Sequence, residues 1–518
     1  MRDRTRRHPL VSLALGAALL VFPPLLAETP VPSGRSMTDV LSALEAFALE
    51  ARGAEGIPGM AYAVVKDDAV VFSKALGERK AGEAAPVTTS TLFEIGSTSK
   101  AFTAALLGMA VEEGLISWDT RVVDVLPRFR MHDPWVTREM RIADLVSQRS
   151  GMPPYSLDWM AFIGFGRDEI QQALVHVEPV SSFRNTFGYV NTLWLVAAEV
   201  LEKVTGQRWE DAVHLRVLGP LGMRETTVDP EVVGMAGDVA SGHLRQADGG
   251  LRPIPPDWPF RGWIDTYGPA GSIRSTVLDM SRWARLHLAR GTFEGEPHLA
   301  PGTVDLLHAP RTLAFARDGS SGSYAMGWIS ESRRAGRIVW HNGGTSGQHS
   351  IVALYPAANA ALVVLTNSSD NQVPERMMSK LFDLLFTPPA PTLARRAQLL
   401  AEEEPLPSFR IAAAPKPALL APLPSLPLAR YVGVYENPAY GRFTVTEKGG
   451  GLVMTMGPWK IEGVLTHYSG NVWALSLPSY PEMAAGVTFA VPAGRPAERL
   501  VVDMCADAGG GIFGRVDR

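Results

Sequence analysis

The sequence predicts an α/β (α+β) protein: an antiparallel sheet flanked by helices, a helical subdomain, and a small all-β barrel-like domain at the C-terminal end. Three observations predict it. Strand-like runs stand near both ends of residues 38–387 with helical periodicity between them, which suits a sheet assembled from both ends around an inserted helical region. Residues 388–428 hold ten prolines, many alanines and little periodicity, and read as a linker. Residues 429–518 break into short strand-like runs separated by turns. A length of 518 residues fits two or three domains.

Composition narrows the function classes. At 46% hydrophobic and 20% charged residues the chain is of the soluble globular type. A net charge of −4 gives no reason to propose nucleic acid as a partner. Residues 1–27 read as an export signal. Arg2, Arg4, Arg6 and Arg7 precede an apolar run of 13 residues, Leu10 to Phe22, which is short for a membrane span and is broken by Pro23-Pro24. The expected location is periplasmic or secreted, with no stable membrane span after signal removal; an uncleaved anchor is the alternative. Cys505 is the single cysteine, which excludes an intramolecular disulfide.

Taken in order, Met37 to Arg52 has helical spacing of Val40, Leu41, Leu44, Phe47 and Leu49. Gly59–Val65 and Ala69–Phe72 are β-rich runs around Lys66-Asp67-Asp68, a hairpin signal. A helix is expected from Ser97 to near Gly114, a short one over Ile142–Gln148, and longer ones over Thr192–Val204, Trp209–Leu218, Leu278–Leu288 and Arg376–Phe386. Gly268 to Ser272 reads as a turn. Ile338–Trp340, Ser350–Tyr355 and Ala360–Thr366 are the late strands. Six more begin at Tyr431, Phe443, Leu452, Val472, Val487 and Leu500.

The chemistry concentrates at Ser97-Thr98-Ser99-Lys100. On a helix, i and i+3 share a face, so hydroxyl and amine would meet. The helix N-terminus would also aim free N–H groups at developing negative charge. The chain has nine lysines, and chance alone gives one Ser-x-x-Lys in roughly half of such chains, so the motif is weak by itself. Tyr189-Val190-Asn191 and His341-Asn342-Gly343-Gly344 strengthen it. A serine needs a base, and a lysine is one only when burial or nearby positive charge keeps its amine neutral. A tyrosine phenol can relay the proton, an Asn amide can position lysine and acyl group, and glycines let a substrate backbone approach a second oxyanion donor. Gly-x-Ser-x-Gly is absent, and the histidines lack metal-ligand spacing.

In these motifs the chain resembles the serine β-lactamases and penicillin-binding-protein-like hydrolases, especially the class C-like branch with its esterases and its D-amino-acid and linear-peptide peptidases. The family order of Ser-x-x-Lys, Tyr-x-Asn and Lys-Thr-Gly or His-x-Gly is met at 97, 189 and 341. Leu92–Gly96, Asp144-Leu145, Ser150-Gly151 and Ala270-Gly271 match as flanks. The resemblance implies a β-lactamase/transpeptidase-like fold over 38–387. It implies Ser97 as acylated nucleophile, Lys100 as base partner and Tyr189 in proton transfer. Asn191 would orient the acyl amide, and His341 would stand at the third-motif cation position. Gly343 would lie in the substrate-binding strand, and Gly344 N–H would share the oxyanion hole with Ser97 N–H. The segment from Tyr431 looks like the lipocalin-like module that often follows such hydrolases.

The implied activity is acyl-enzyme hydrolysis of a small peptide, amide or ester without cofactor or metal. His341 in place of a lysine weakens any grip on a substrate carboxylate, which favours peptidase or esterase over β-lactamase or D-Ala-D-Ala carboxypeptidase. A non-catalytic penicillin-binding sensor, and a functional C-terminal binder beside a vestigial hydrolase, are the remaining alternatives. The sequence does not choose an oligomeric state. A second Tyr-x-Asn at Tyr435-Glu436-Asn437 reads as a strand end. His349 reads as a loop residue. Tyr155, Trp159 and Trp258 read equally well as cleft walls or as packing.

Overall fold

The computed structural model describes residues 32–235, 237–246, 249–317, 319–369, 371–388 and 425–517. The expected export signal and nearly all of the 388–428 linker lie outside the described residues. Helix α1 (Met37–Glu55) starts on the Ser36 cap, whose Oγ accepts from Asp39 N–H, and ends on Gly56 at φ 64°. Strands β1 (Gly59–Lys66) and β2 (Ala69–Gly77) form the expected hairpin. Asp67 and Asp68 sit at φ 49° and 63°, the paired left-handed turn that suits strand twist.

The sheet is closed from both ends of the domain. Late strands β3 (Thr312–Arg317), β4 (Ser320–Tyr324), β5 (Ile329–Arg333), β6 (Gly336–Thr345), β7 (Gln348–Tyr355) and β8 (Ala360–Thr366) meet the hairpin in the order β2-β1-β8-β7-β6-β5-β4-β3. Every pairing is antiparallel, and β1 joins β8 in the register Met60 opposite Thr366. β1 and β8 are buried along their whole length. Helix 277–288 packs on β1 and β8, while α1 and helix 373–386 pair and the latter covers β7 and β8. Covering both faces explains why these strands read as continuous apolar runs rather than alternating ones.

Between the two halves lie the helices that carry the site. They are α2 (Lys100–Glu112), α3 (Asp158–Phe162), α4 (Thr192–Thr205) and α5 (Val277–Leu288), followed after the sheet by α6 (Val373–Phe386). α2 is buried on all sides from Lys100 to Ala110, so its apolar content has no stripe. Phe102 stacks on Trp283 with centroids 4.0 Å apart, and Thr103 Oγ1 donates to Pro269 O at 2.7 Å. Several expectations shift. Ser97 lies in a 3₁₀ turn, Gly96–Ser99, ahead of α2. The helix expected over 142–148 stops at Leu145, and the Gly268 turn is one helical turn. His349 stands on β7 rather than in a loop, its Nε2 2.8 Å from Glu375.

The C-terminal module is a closed eight-stranded barrel: β9 (Gly433–Asn437), β10 (Gly441–Lys448), β11 (Gly451–Met456), β12 (Ile461–Ser469), β13 (Val472–Leu477), β14 (Tyr480–Ala490), β15 (Arg499–Val502) and β16 (Ile512–Arg515), with β16 back on β9. β12 and β16 were not expected. In β12 one of the three inward positions is Gly463, which hides the alternation, and β16 has only Phe513 facing in. Asn437 caps a turn inside the barrel, its Oδ1 accepting from Ala439 and Tyr440 N–H, so Tyr435-Glu436-Asn437 is structural. No helix among the described residues is long and apolar enough to cross a membrane.

The barrel docks on the helical region through aromatics. Trp459 N–H donates to Ile163 O at 3.1 Å, and Trp258 Nε1 donates to Ser479 O at 2.5 Å. Tyr480 packs on Trp258 and Phe260 at 5.2 and 5.8 Å. The Trp459 ring lies against Gly164, where a Cβ would sit 2.3 Å from the ring at φ +100°. Gly164→Ala is therefore expected to destabilise the protein by roughly 2–4 kcal/mol, combining backbone strain with overpacking. Denaturant unfolding of Gly164→Ala, Trp459→Ala and the double variant checks this. The double variant should recover part of the loss, and strict additivity would remove the proposed clash.

Candidate active site

The Ser97 turn is strapped on two sides. Ile95 N–H donates to Ile273 O at 3.0 Å, and Ser99 Oγ accepts from Ile273 N–H at 3.3 Å. On the sheet side, Ser350 Oγ donates to Ile95 O at 2.7 Å. The remaining fit is made by absent side chains. A Cβ on Gly343 would lie 1.9 Å from Ile95 O and 2.8 Å from Ser97 N, and one on Gly96 (φ +51°) would lie 2.8 Å from Gly344 N. Only glycine lets β6 run this close to the turn. Gly344 itself has open space where a Cβ would go.

Lys100 is fully buried, with Nζ 2.9 Å from Ser97 Oγ and donating to Ala270 O at 2.9 Å. It lies 4.9 Å from the Tyr189 ring centroid and 5.9 Å from that of Trp194. Burial lowers its pKa to about 7, against an opposing pull from Asp158. The amine is thus available as a base near neutrality, which the bare motif could not establish. The 3₁₀ turn explains the contact, since its i and i+3 side chains eclipse.

Tyr189 and Asn191 reach the site from a loop held from behind. Tyr155 N–H donates to Tyr189 O at 2.7 Å, and Val190 N–H donates to Gln148 Oε1 at 2.7 Å. The Tyr189 hydroxyl hydrogen-bonds with Ser97, while burial pushes its phenol well above the ordinary range. It is a neutral phenol, not a phenolate. Asn191 Nδ2 donates to Asp158 Oδ2 at 2.6 Å. Asp158 is buried, and burial raises its carboxyl to about 7, partly offset by Asn191 and Lys100.

His341 lies in the same cluster, 6.3 Å from Tyr189 between ring centroids. It carries no charge. Burial, with Lys100 nearby, lowers its pKa to about 3. Nε2 pairs with the Tyr324 hydroxyl at 3.1 Å and Nδ1 with Asn342 O at 2.5 Å. Both ring nitrogens are engaged in a neutral network, with the Tyr324 phenol held protonated by burial. Asn342 Nδ2 donates to Glu375 Oε1 at 2.7 Å, which also receives His349 and so anchors β6 to α6.

Ser97, Lys100, Tyr189, Asn191, His341, Gly343 and Gly344 therefore converge. Sequence reasoning missed Asp158, Tyr324, Gln148 and the Ala270 carbonyl as a lysine partner. Asp158 and Tyr324 carry no motif; only the Asp144–Gly151 and Ala270-Gly271 flanks hinted at the other two. Tyr155 stands beside Tyr189, with ring centroids 5.6 Å apart. Trp159 and Trp258 are buried packing residues at 5% exposure. Among the described residues no three His, Cys, Asp or Glu side chains group as metal ligands.

Residues 44–384 match the Beta-lactamase family, and residues 420–507 match a domain of unknown function (DUF3471). The chain is 29% identical over 415 residues to the unguisins hydrolase ungD' of Aspergillus campestris (strain IBT 28561), covering 75% of this chain and 74% of that one. It is 30% identical over 322 residues to penicillin-binding protein 4 of Amycolatopsis lactamdurans, covering 60% and 81%. In fold it is similar to the octameric penicillin-binding protein homologue from Pyrococcus abyssi, at TM-score 0.60 and 20% identity, over 91% of this chain and 99% of that one. SurE gives TM-score 0.56 at 20% identity, over 92% and 100%.

Three outcomes follow from the geometry. The rate of Ser97 phosphonylation by a fluorophosphonate, with loss of fluoride, should rise about tenfold per pH unit up to about 7, as Lys100 loses its proton, and then level off. A rate independent of pH between 5 and 8 would remove Lys100 as the base. Gly343→Ala should cost roughly 100-fold in that rate, because the added carbon would push against Ile95 O and Ser97 N of the nucleophile turn. Gly344→Ala should keep the wild-type melting temperature and instead raise KM, by narrowing the open side of the cleft.

Proposed function

As the chain belongs to the Beta-lactamase family of serine hydrolases, we propose that it hydrolyses small peptides, amides or esters through an acyl-enzyme on Ser97. The observation that carries this is the buried Lys100 amine 2.9 Å from the Ser97 hydroxyl. Ser97 Oγ attacks the carbonyl carbon while its proton passes to neutral Lys100. The oxyanion is held by Ser97 and Gly344 N–H groups. Tyr189 relays the proton to the leaving amine or alcohol as the carbonyl re-forms. Water then attacks the acyl-enzyme, giving its proton to the same relay, and Ser97 Oγ leaves re-protonated. Asn191 orients the acyl group.

The substrate class rests on His341. A neutral imidazole offers no ionic grip on a free carboxylate, so the bound group is better an ester or an internal amide than a chain end with its carboxylate. A relative named a hydrolase supports this side of the reading. A relative named a penicillin-binding protein favours a second reading, in which β-lactams acylate Ser97. Export is part of the proposal and rests on the basic and apolar pattern of residues 1–27.

Labelling with a fluorophosphonate and with a fluorescent penicillin, followed by adduct mapping, tests the nucleophile. Steady-state assays on a p-nitrophenyl ester, D- and L-amino-acid amides and a chromogenic cephalosporin sort the substrates. We expect the adduct on Ser97, ester or amide turnover well above cephalosporin turnover, and a loss of at least about 10³-fold in Ser97→Ala. An adduct elsewhere sinks the mechanism. Fast cephalosporin turnover selects the β-lactamase reading, and unchanged activity in Ser97→Ala supports a non-catalytic sensor.

A further inference from the structure

A carboxylate of the barrel reaches the turn that precedes Asp158. Asp507 lies between β15 and β16. Its Oδ1 accepts from the Tyr440 hydroxyl at 2.8 Å, and its Oδ2 accepts from Leu157 N–H at 2.5 Å. Leu157 is buried and left-handed, at φ +67°, and Tyr155 two residues earlier is left-handed at φ +61°. Two non-glycine residues in this region so close together need outside restraint. The next residue is Asp158, the first of α3, and Asp158 holds the Asn191 amide at 2.6 Å.

Other bonds hold the same turn from inside the hydrolase domain. Thr192 Oγ1 donates to Ser156 O at 2.8 Å, and the Tyr267 hydroxyl donates to Leu157 O at 3.2 Å. These occupy carbonyls. The Leu157 N–H, just ahead of α3, donates to Asp507 from the barrel. Docking itself has separate contacts at Trp459, Trp258 and Tyr480, so loss of the Asp507 bond leaves the barrel in place.

We propose that Asp507 is a positioning residue of the hydrolase site: by holding Leu157 N–H in its left-handed turn it fixes Asp158, and through Asp158 the Asn191 amide beside the acyl group. The barrel then sets the geometry of acylation without contacting substrate. This rests on the reading of Ser97 as the acylated nucleophile.

The test uses the full chain and compares wild type, Asp507→Ala, Asp507→Asn and Tyr440→Phe. The readouts are the fluorophosphonate labelling rate, kcat and KM on a p-nitrophenyl ester, and melting temperature. Asp507→Ala is expected to slow labelling and kcat about 10- to 100-fold with KM within about threefold. Asp507→Asn keeps an oxygen for Leu157 N–H and should recover to within about threefold of wild type. Tyr440→Phe, which frees one side of Asp507, should slow labelling severalfold at an unchanged melting temperature. Wild-type labelling rates in Asp507→Ala overturn the proposal, as does an Asn variant as slow as the Ala variant. If Asp507→Ala does not fold, Tyr440→Phe decides: slower labelling of a stable protein supports the role, and unchanged labelling overturns it. A wild-type adduct on a residue other than Ser97 sinks the hydrolase reading itself, whereas Ser97 labelled equally fast in every variant sinks only the role of Asp507.

Discussion

A lysine amine without exposed surface must be neutral or paired with a charge, because the interior solvates an ammonium poorly. Lys100 meets this constraint with a hydroxyl and a carbonyl at hydrogen-bond distance, and with aromatic rings around it. Asp158, the acid that acts on it, is itself buried and raised toward neutrality, so it offers only partial compensation. The rest of the site follows from keeping that amine dry and close to Ser97. α2 is buried on every side, Trp209 Nε1 and Thr103 tie it to Pro269, and β6 closes over the turn.

That closure explains the glycines. Strand and turn approach until backbone meets backbone, and a single Cβ at Gly96 or Gly343 would force them apart. Gly344 differs, since open space faces it. Two adjacent glycines of one motif thus serve different ends, one steric and one that keeps the cleft accessible. The neighbouring Asn342 ties the strand to α6 through Glu375, so the third motif is anchored from the far side of the sheet.

Much of the architecture was legible. The hairpin at Asp67-Asp68, α1, α4, α5 and the late strands β7 and β8 each follow from local periodicity and turn chemistry, which operate within a few residues. Among the strands that escaped are β12, with Gly463 at an inward position, and the Ser- and Gly-rich β4 (Ser320–Tyr324). Their pairing is imposed by neighbours. At the site, Ser97, Lys100, Tyr189, Asn191 and His341 were legible as residue types in a known order. Asp158, Tyr324 and Asp507 were not, because each is defined by a partner far along the chain: Asn191 lies 33 residues from Asp158, and Leu157 lies 350 from Asp507.

By itself the sequence determined which functional groups this protein owns and which fall on one turn: hydroxyl and amine three residues apart, with a phenol, an amide and a glycine strand to follow. Only the tertiary structure decided their protonation states. Burial of Lys100, Tyr189 and His341 makes the first a base near neutrality, keeps the second a phenol, and leaves the third uncharged. The reason is that local geometry is set by residues a few positions apart. Desolvation, by contrast, is set by whatever the fold packs against a group, and here that packing comes from the helical region, the sheet and, through Asp507, the barrel.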